Sequence, residues 1–362
     1  MNELEDIRNI SNFKNQISSE KELFNGLDTL KKVDFNDIYI SEHGEGFFKG
    51  VSNSNKPLTN IPSILADEVN SLRIKVLDKK TKTGKEEFHI EHDNIRYRCT
   101  QISATSEIWF SLRKGKEFVP RISTLKLNKH IIKVLAHLGK GNGLILICGS
   151  MNSGKTTTAS SLLQEYLLTY GDLAITIEDP IELPLDGVYY GNSRTPKDQN
   201  STPTARCFQT EVSSSEFGEA IEKIMRQNPK YIYLGEIRSA SEAGHAIRAA
   251  LSGHLVITTI HGSSIVESIY SLLKMAGQFE NIEMAREILA NSLSAVIHQK
   301  IIRTINPTTS KIEKRLVTKS LFFTDKTPGA RSAIRDNKIK NLENEIETQK
   351  NRILNNKEPV EF

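Results

Sequence analysis

The sequence has few cysteines and no long apolar run. Its three cysteines, Cys99, Cys148 and Cys207, are far apart in 362 residues and form no C-x-x-C pair. This usage argues against a disulfide framework or a zinc knuckle and suits a reducing cytoplasm. Cys148 follows four apolar residues, so we predict a small core residue. No apolar stretch approaches the roughly 20 residues of a transmembrane helix, so a membrane link would need a partner or a surface patch.

A strong charge bias is also lacking. The 48 basic and 44 acidic residues leave a formal net charge of +4, which is too small to indicate nucleic-acid binding. The opening stretch MNELEDIRNISNFKNQ carries acids and no apolar core, so it does not resemble a secretory signal. We therefore expect a cytoplasmic chain.

The length suggests about two domains, and the first third mixes helix and strand patterns. The stretches FHIEH, IRYRCTQISA and EIWFSLR alternate as strands do. Residues 61–77 carry an apolar stripe at helical spacing, made of Ile61, Ile64, Leu65, Val69, Leu72 and Val76. We predict a small α+β domain with an antiparallel sheet, followed by a polar linker that begins near Lys114.

After this break, strand patterns alternate with helical ones. The runs GLILICGS, LAITIEDP, KYIYLGEI and HLVITTIHG are separated by amphipathic stretches, which predicts a mainly parallel, three-layer α/β domain. Segment 186–210 is rich in Asn, Ser, Thr and Pro, so we expect a hairpin or loop outside the core. The final stretch IKNLENEIETQKNRILNN predicts a helix that packs through its apolar stripe, which includes Ile339, Leu342, Ile346 and Ile353.

The stretch GSMNSGKTTTAS lies where a buried-strand pattern ends and a helix pattern begins. It matches the phosphate-loop pattern, in which glycines let backbone N–H groups approach phosphate oxygens. Lys155 would reach the β- and γ-phosphates, and the Thr156 hydroxyl would bind Mg²⁺. The alternative is an ordinary Gly-Lys turn at a helix start. The predicted nucleotide-binding residues are Gly149, Ser150, Asn152, Ser153, Gly154, Lys155, Thr156 and Thr157.

Two later strand patterns end in carboxylates. ITIEDPIE supplies Glu178, and YIYLGEIR supplies Glu236. Because ligands bind beyond the carboxyl ends of parallel strands, both acids should face the crevice of Thr156. One would hold hydrated Mg²⁺ and the other would orient an attacking water. Either acid could instead be a helix cap or a solvated loop residue.

Two histidines, His254 and His261, bracket the strand pattern LVITTI. A single histidine beside a strand is commonly structural. A pair beside the predicted crevice favours a role at the nucleotide, whereas the wide spacing and the lack of cysteine or acid partners argue against a metal site.

Four motifs in one order, GSMNSGKTTTAS, ITIEDPIE, YIYLGEIR and GHLVITTIHG, resemble the secretion-ATPase superfamily. This family comprises the motors of type II secretion, type IV pili and type IV secretion, and the motifs are similar to its Walker A motif, Asp box, Walker B motif and His box. The resemblance implies an N-terminal PAS-like α+β domain (residues 1–113), a linker (114–124), a RecA-like P-loop ATPase domain (125–325) and a C-terminal helical tail (326–362). The length and the tail favour the PilT-like and DotB-like members.

The resemblance also implies a homohexamer that hydrolyses ATP with Mg²⁺. Such a motor would lie at the cytoplasmic face of the bacterial inner membrane, on the platform proteins of a secretion system or pilus. Thr156 and Glu236 would hold Mg²⁺ and Glu178 would polarise the attacking water, although the two glutamates could exchange these roles. The predicted catalytic set is completed by Lys155, His254 and His261.

Arginines of the N-terminal domain contact the phosphates in this family, and the matching positions here are Arg96, Arg98 and Arg113. The sequence departs from the family pattern in three motifs: Met151 and Asn152 stand where threonine and glycine are usual, Ser239 follows the Walker B motif, and the His box ends in HGSS. Asn152 could restrict the loop, and Ser239 stands where aspartate is usual, which puts the local network after the Walker B motif in question.

The sequence therefore predicts an ATP-hydrolysing hexameric motor of a type IV secretion or conjugation system or of a retracting type IV pilus. One alternative is a DNA-translocating RecA-like ATPase, although the weak charge bias leads us to expect no direct nucleic-acid partner. A second alternative is a nucleotide-gated scaffold that binds ATP without hydrolysing it.

Overall fold

The computed structural model describes residues 23–361, apart from residues 53, 55, 199, 214, 215 and 306–311. The opening stretch that we tested for a secretory signal lies outside these residues. The chain divides into two compact units, Met1–Glu117 and Phe118–Phe362. The predicted limits of the linker and of the tail stay a prediction.

The first unit packs a helix on an antiparallel sheet. Its elements are β1 (Asp37–Ser41), β2 (Gly46–Lys49), β3 (Leu58–Asn60), α1 (Ala66–Thr83), β4 (Glu87–His92), β5 (Ile95–Ser103) and β6 (Ile108–Lys114). The sheet has the order β3-β2-β1-β6-β5-β4. Alternate residues such as Ile38, Ile40 and Tyr97 are buried in one core with Leu72 and Val76 of α1, as the period-two pattern predicts.

The helix of this unit begins later than the sequence pattern predicts. A 3₁₀ turn covers Ser63–Leu65, and the α-helix begins at Ala66. The tighter turn shifts the angular spacing of the side chains, and Ile64, which we placed in the apolar stripe, is 59% exposed. The prediction for Ile64 is wrong, whereas Leu65, Val69, Leu72 and Val76 are buried.

The second unit is a three-layer α/β domain. Its elements are α2 (Lys129–Leu138), β7 (Gly143–Gly149), α3 (Lys155–Thr169), β8 (Asp172–Glu178), β9 (Gly187–Tyr189), β10 (Ala205–Glu211), α4 (Phe217–Met225), β11 (Tyr231–Leu234), α5 (Ala240–Leu251), β12 (Leu255–His261), α6 (Ile265–Phe279), α7 (Ile282–Ser292), β13 (Leu293–Ile305), β14 (Ile312–Phe322), α8 (Pro328–Arg335) and α9 (Leu342–Leu354).

The sheet of this unit has the order β14-β13-β7-β12-β11-β8-β10-β9. Strands from β13 to β10 are parallel, and the edge strands β14 and β9 are antiparallel. Leu144 and Leu146 of β7 are buried in the core on one face, and Ile145 and Ile147 are buried in the core on the other. The predicted fold class is confirmed: an N-terminal antiparallel α+β unit precedes a mainly parallel α/β unit.

The segment 186–210 contains the hairpin of β9 and β10, which confirms the hairpin alternative. Its placement outside the core is wrong, because β10 pairs in parallel with β8 along its whole length and Tyr189 and Cys207 are buried in the core. Near the sheet edge, the strand exposes Phe208 and Glu211. It therefore lacks the continuous apolar run by which we recognised the central strands.

The C-terminal helices belong to the second unit. Ile339, Leu342 and Ile346 are buried in the same core as β7, and Ile353 packs against the core on the opposite face. The predicted packing of the tail through its apolar stripe is confirmed. Among the described residues, no helix is long and apolar enough to cross a membrane.

Candidate functional site: a phosphate loop and two strand-end acids

The loop between β7 and α3 has the backbone geometry of a phosphate cradle. Gly149, Asn152 and Gly154 have φ angles of 155°, 59° and 86°, in the region that glycine adopts without strain and asparagine tolerates. Asn152 therefore adopts the conformation that glycine would have at this position. Ser150 is exposed and Ser153 is buried.

Lys155 begins α3 and is 8% exposed. Its Nζ donates to the carbonyl oxygen of Ser150 at 3.2 Å and lies 3.3 Å from Nδ1 of His261. Burial lowers the pKa of the Lys155 ammonium, and the nearby Glu236 carboxylate acts in the opposite direction. A second anion in this crevice, such as a phosphate group, would stabilise the charged ammonium further.

His261 connects Lys155 to the acid after β11. The strand register places His261 beside Gly149. Its Nε2 lies 2.9 Å from Oε1 of Glu236, and Oε2 of the same carboxylate accepts from Nε of Arg238 at 2.8 Å. The structure thus brings three of the predicted catalytic residues, Lys155, His261 and Glu236, into one chain of contacts.

Glu178, at the end of β8, is only 1% exposed. Its Oε1 accepts from Oγ1 of Thr176 at 2.8 Å and from Nε2 of Gln209 at 2.7 Å. These two donors stabilise and orient a buried carboxylate. Gln209 lies on β10, within the segment that we took for an excursion, so sequence reasoning missed it; its partner is 31 residues away.

Thr156 and Thr157 lie in the first turn of α3 and are half-buried. The hydroxyl of Thr156 and the carboxylate of Glu236 are oxygen donors of the kind that Mg²⁺ prefers. Among the described residues, no group of three or more His, Cys, Asp or Glu side chains could hold a metal ion. Two oxygen donors from the protein fit Mg²⁺, which commonly takes its other ligands from phosphate and water.

The structure does not bring His254 to this site. His254 precedes β12, and its carbonyl oxygen accepts from the N–H of Gly143, at the start of β7. His254 therefore lies about 20 Å along the strand from His261, at the opposite end of β12. Its Nδ1 lies 2.6 Å from the carbonyl oxygen of Pro229, and its side chain is buried. The prediction of a catalytic role for His254 is wrong for the site of this chain.

Arg96, Arg98 and Arg113 share the outer face of the sheet in the first unit. Arg98 on β5 is directly opposite Arg113 on β6, and their intervening neighbours are buried. Arg98 pairs with Glu87 at 3.3 Å, and Arg113 pairs with Asp37 at 2.9 Å. Opposed like charges destabilise a strand pair, and here Glu87 and Asp37 offset the charges of Arg98 and Arg113.

Ser239 forms the N-cap of α5. Its Oγ accepts from the N–H of Glu242 at 3.3 Å, and Oε2 of Glu242 accepts from the N–H of Ser239 at 3.0 Å. This reciprocal capping box fixes the start of the helix that follows Glu236. Ser239 therefore serves as an N-cap, a position at which aspartate is also favoured.

Comparison with known proteins shows the family to which the chain belongs. The sequence profile of the family described as type II/IV secretion system protein matches residues 73–355. The chain is 32% identical over 191 residues to the protein transport protein HofB homolog of Escherichia coli K12, a match that covers 51% of the chain but only 35% of that relative. It is also 26% identical to the twitching motility protein of Neisseria gonorrhoeae, covering 80% of the chain and 72% of the relative.

Solved structures share the fold. The pilus retraction motor PilT with bound ADP superposes with a TM-score of 0.67 at 22% identity, covering 89% of this chain and 88% of that one. The Legionella pneumophila ATPase DotB superposes with a TM-score of 0.63 at 23% identity, covering 84% and 83%. These likenesses concern the fold and agree with the predicted resemblance to PilT-like and DotB-like proteins.

Removal of the N-cap should destabilise the second unit. We expect Ser239→Ala to lower the free energy of unfolding by about 1 kcal/mol, because the N–H of Glu242 loses its acceptor. Chemical denaturation measures this loss. Ser239→Asp keeps a capping oxygen and should stay within about 0.5 kcal/mol of the wild type; an equal loss in both variants would contradict the assignment.

Asn152 should slow the exchange of a bound nucleotide. Glycine can adopt the same φ angle but gains backbone freedom, so we expect Asn152→Gly to raise the dissociation rate of ADP about two- to fivefold. Stopped-flow displacement of a fluorescent ADP analogue measures this rate. Asn152→Ala is the comparison, since positive φ strains alanine; an unchanged rate in Asn152→Gly would contradict the prediction.

Proposed function

Because the chain belongs to the family of type II/IV secretion system proteins, we propose that it is an ATP-hydrolysing motor of a secretion or pilus machine. The observation that carries this proposal is the chain of contacts from Lys155 through His261 to Glu236. These contacts join the phosphate loop to the ends of β11 and β12. Phosphate bound in the loop would contact Lys155. A shift of Lys155 would change its contact with His261 at the end of β12, and through it the contact with Glu236 after β11.

The loop supplies the binding part of the reaction. The positive end of α3 and the backbone N–H groups after Gly149 attract the phosphates, and the Lys155 ammonium neutralises the β- and γ-phosphate charge. Thr156 and Glu236 would hold Mg²⁺, which neutralises charge on the phosphates when bound. ATP and Mg²⁺ are therefore the proposed cofactors.

Glu178 would orient the attacking water. The two hydrogen bonds from Thr176 and Gln209 fix one oxygen of its carboxylate, and its burial favours transfer of a proton from water in a site that excludes solvent. Glu236 is held by His261 and Arg238 instead, and His261 links it to the loop lysine. This difference in partners supports the division of roles between the two acids.

The arginine face of the first unit supports assembly into a ring. Arg96, Arg98 and Arg113 share one face of their sheet, and arginine suits the charge of a phosphoryl transition state. We propose that the chain forms a homohexamer in which these arginines contact the nucleotide. The motor would act from the cytoplasmic face of the inner membrane on platform proteins, as a retraction-type pilus motor or a type IV secretion motor.

Both glutamates should be required for turnover but not for binding. We expect Glu178→Gln and Glu236→Gln to retain ADP affinity and to lose at least about a hundredfold in ATP hydrolysis, because each loses a charge used in the chemical step. Phosphate release measures turnover, and fluorescent ADP titration measures binding. Glu219→Gln, at an exposed position of α4, is the matched control.

The outcomes separate the alternatives. Normal turnover in both variants would contradict the assigned roles, and absence of turnover in the wild type with intact binding would favour a non-hydrolysing scaffold. Hydrolysis that depends on added DNA would favour a DNA translocase. Lys155→Ala should lose nucleotide affinity in every case.

The oligomeric state can be measured directly. We expect mass photometry of the full chain with ATP and Mg²⁺ to show a species of six times the 40.7 kDa chain. Reversal of the charge at Arg98, whose partner Glu87 is exposed, should reduce that species, because an anionic side chain would repel the phosphates. A wild-type chain that stays monomeric with ATP and Mg²⁺ would contradict the proposed ring.

A further inference from the structure

Gln299 lies beside the phosphate loop on the neighbouring strand. β13 runs parallel to β7, and the register pairs His298 with Cys148. Gln299 therefore stands next to Gly149, where the loop begins. Its side chain is fully buried, with 0% exposure. A glutamine carries both donor and acceptor groups, so its complete burial requires specific partners.

The amide of Gln299 holds one peptide group of the loop. Its Nε2 donates to the carbonyl oxygen of Ser153 at 2.6 Å. In a trans peptide the C=O and N–H groups point in opposite directions. Because Gln299 holds the carbonyl on the core side, the N–H of Gly154 in the same peptide group points away from the core. That N–H is one of the donors that a phosphate loop presents to its anion.

The two loop glycines are packed against Gln299. A Cβ on Gly149 would lie 2.3 Å from the main-chain oxygen of Gln299, and a Cβ on Gly154 would lie 3.2 Å from its Nε2. The first contact is with backbone, which no side-chain rotation relieves. The loop and β13 therefore approach closely, and the contact of Gly154 involves the Gln299 side chain itself.

Two polar atoms at this contact have no hydrogen-bond partner within the described part of the chain. They are Oε1 of Gln299 and Oγ of Ser153, and both are buried. A hydroxyl can donate and an amide oxygen can accept. A rearrangement of the loop that brought the Ser153 hydroxyl to Oε1 of Gln299 would satisfy both atoms.

We propose that Gln299 is a positioning residue of the nucleotide site. It orients the Ser153–Gly154 peptide group for phosphate and, when phosphate fills the loop, also accepts a hydrogen bond from the Ser153 hydroxyl. This inference rests on the proposed function, since it requires that the loop binds nucleotide. Gln299 acts through the loop and not on the reacting atoms, so it should affect affinity more than the chemical step.

The test compares two buried glutamines in the full chain. Gln299→Leu should raise the Kd of ADP and the KM of ATP about tenfold and leave kcat within about threefold. Gln349, on α9, is the matched control because it is also buried and bonds both backbone groups of Phe322 on β14. Gln349→Leu should lower the Tm and leave the Kd of ADP unchanged.

A second variant adds a pH readout. In Gln299→Glu, a protonated carboxyl can donate to the Ser153 carbonyl, whereas the ionised form cannot and repels it. Burial raises the pKa of a carboxyl group. The Kd of this variant, relative to the wild type, should therefore fall as the pH is lowered from about 8 to about 6. Gln299→Leu should show no such trend. If the leucine variant fails to fold, the pH dependence of Gln299→Glu tests the positioning role of Gln299 by itself.

A double-mutant cycle tests the second hydrogen bond. If Ser153 and Gln299 act together, Ser153→Ala should add little to the rise in Kd of Gln299→Leu, whereas independent effects would multiply. Multiplicative effects would overturn this part of the proposal.

The outcomes distinguish the two levels of inference. Failure of the wild type to bind ADP would contradict the proposed function. Binding by the wild type with an equal Kd in Gln299→Leu, or equal losses in both leucine variants, would overturn the role of Gln299 alone.

Discussion

Every residue of the candidate site depends on the burial of β7 on both faces. The strand is fully buried from Gly143 to Gly149, and its side chains alternate between two cores. A strand packed in this way cannot shift its register without exposing one core. Its end therefore fixes where the phosphate loop begins, and the neighbouring strands β12 and β13 carry His261 and Gln299 to the same place.

Polar groups are concentrated where this apolar framework ends. Lys155, Glu178 and Gln299 are all buried, and each is held by partners on other strands or loops. Buried polar groups cost free energy unless they are paired. Their concentration at the phosphate loop agrees with a role in binding or orienting a ligand. Burial lowers the pKa of the Lys155 ammonium, and an anion in the crevice would stabilise its charged form.

Much of the fold was predictable because its signals are local. The run from Leu144 to Ile147 predicts a buried strand, and the glycines around it predict the turn into α3. The strand β10 was missed because it lies near the sheet edge, where exposed positions such as Phe208 interrupt the apolar run. Ile64 was misplaced because a 3₁₀ turn changes the side-chain spacing that the helical pattern assumes.

The sequence by itself determined the phosphate loop and the two strand-end acids, because each depends on residues close together in the chain. Only the tertiary structure decided which residues support them. Gln299 reaches Ser153 across 146 residues, and His261 reaches Lys155 across 106. The tertiary structure also decided that only His261 lies near the loop. His254 and His261 stand at opposite ends of β12 and are separated by the full length of that strand.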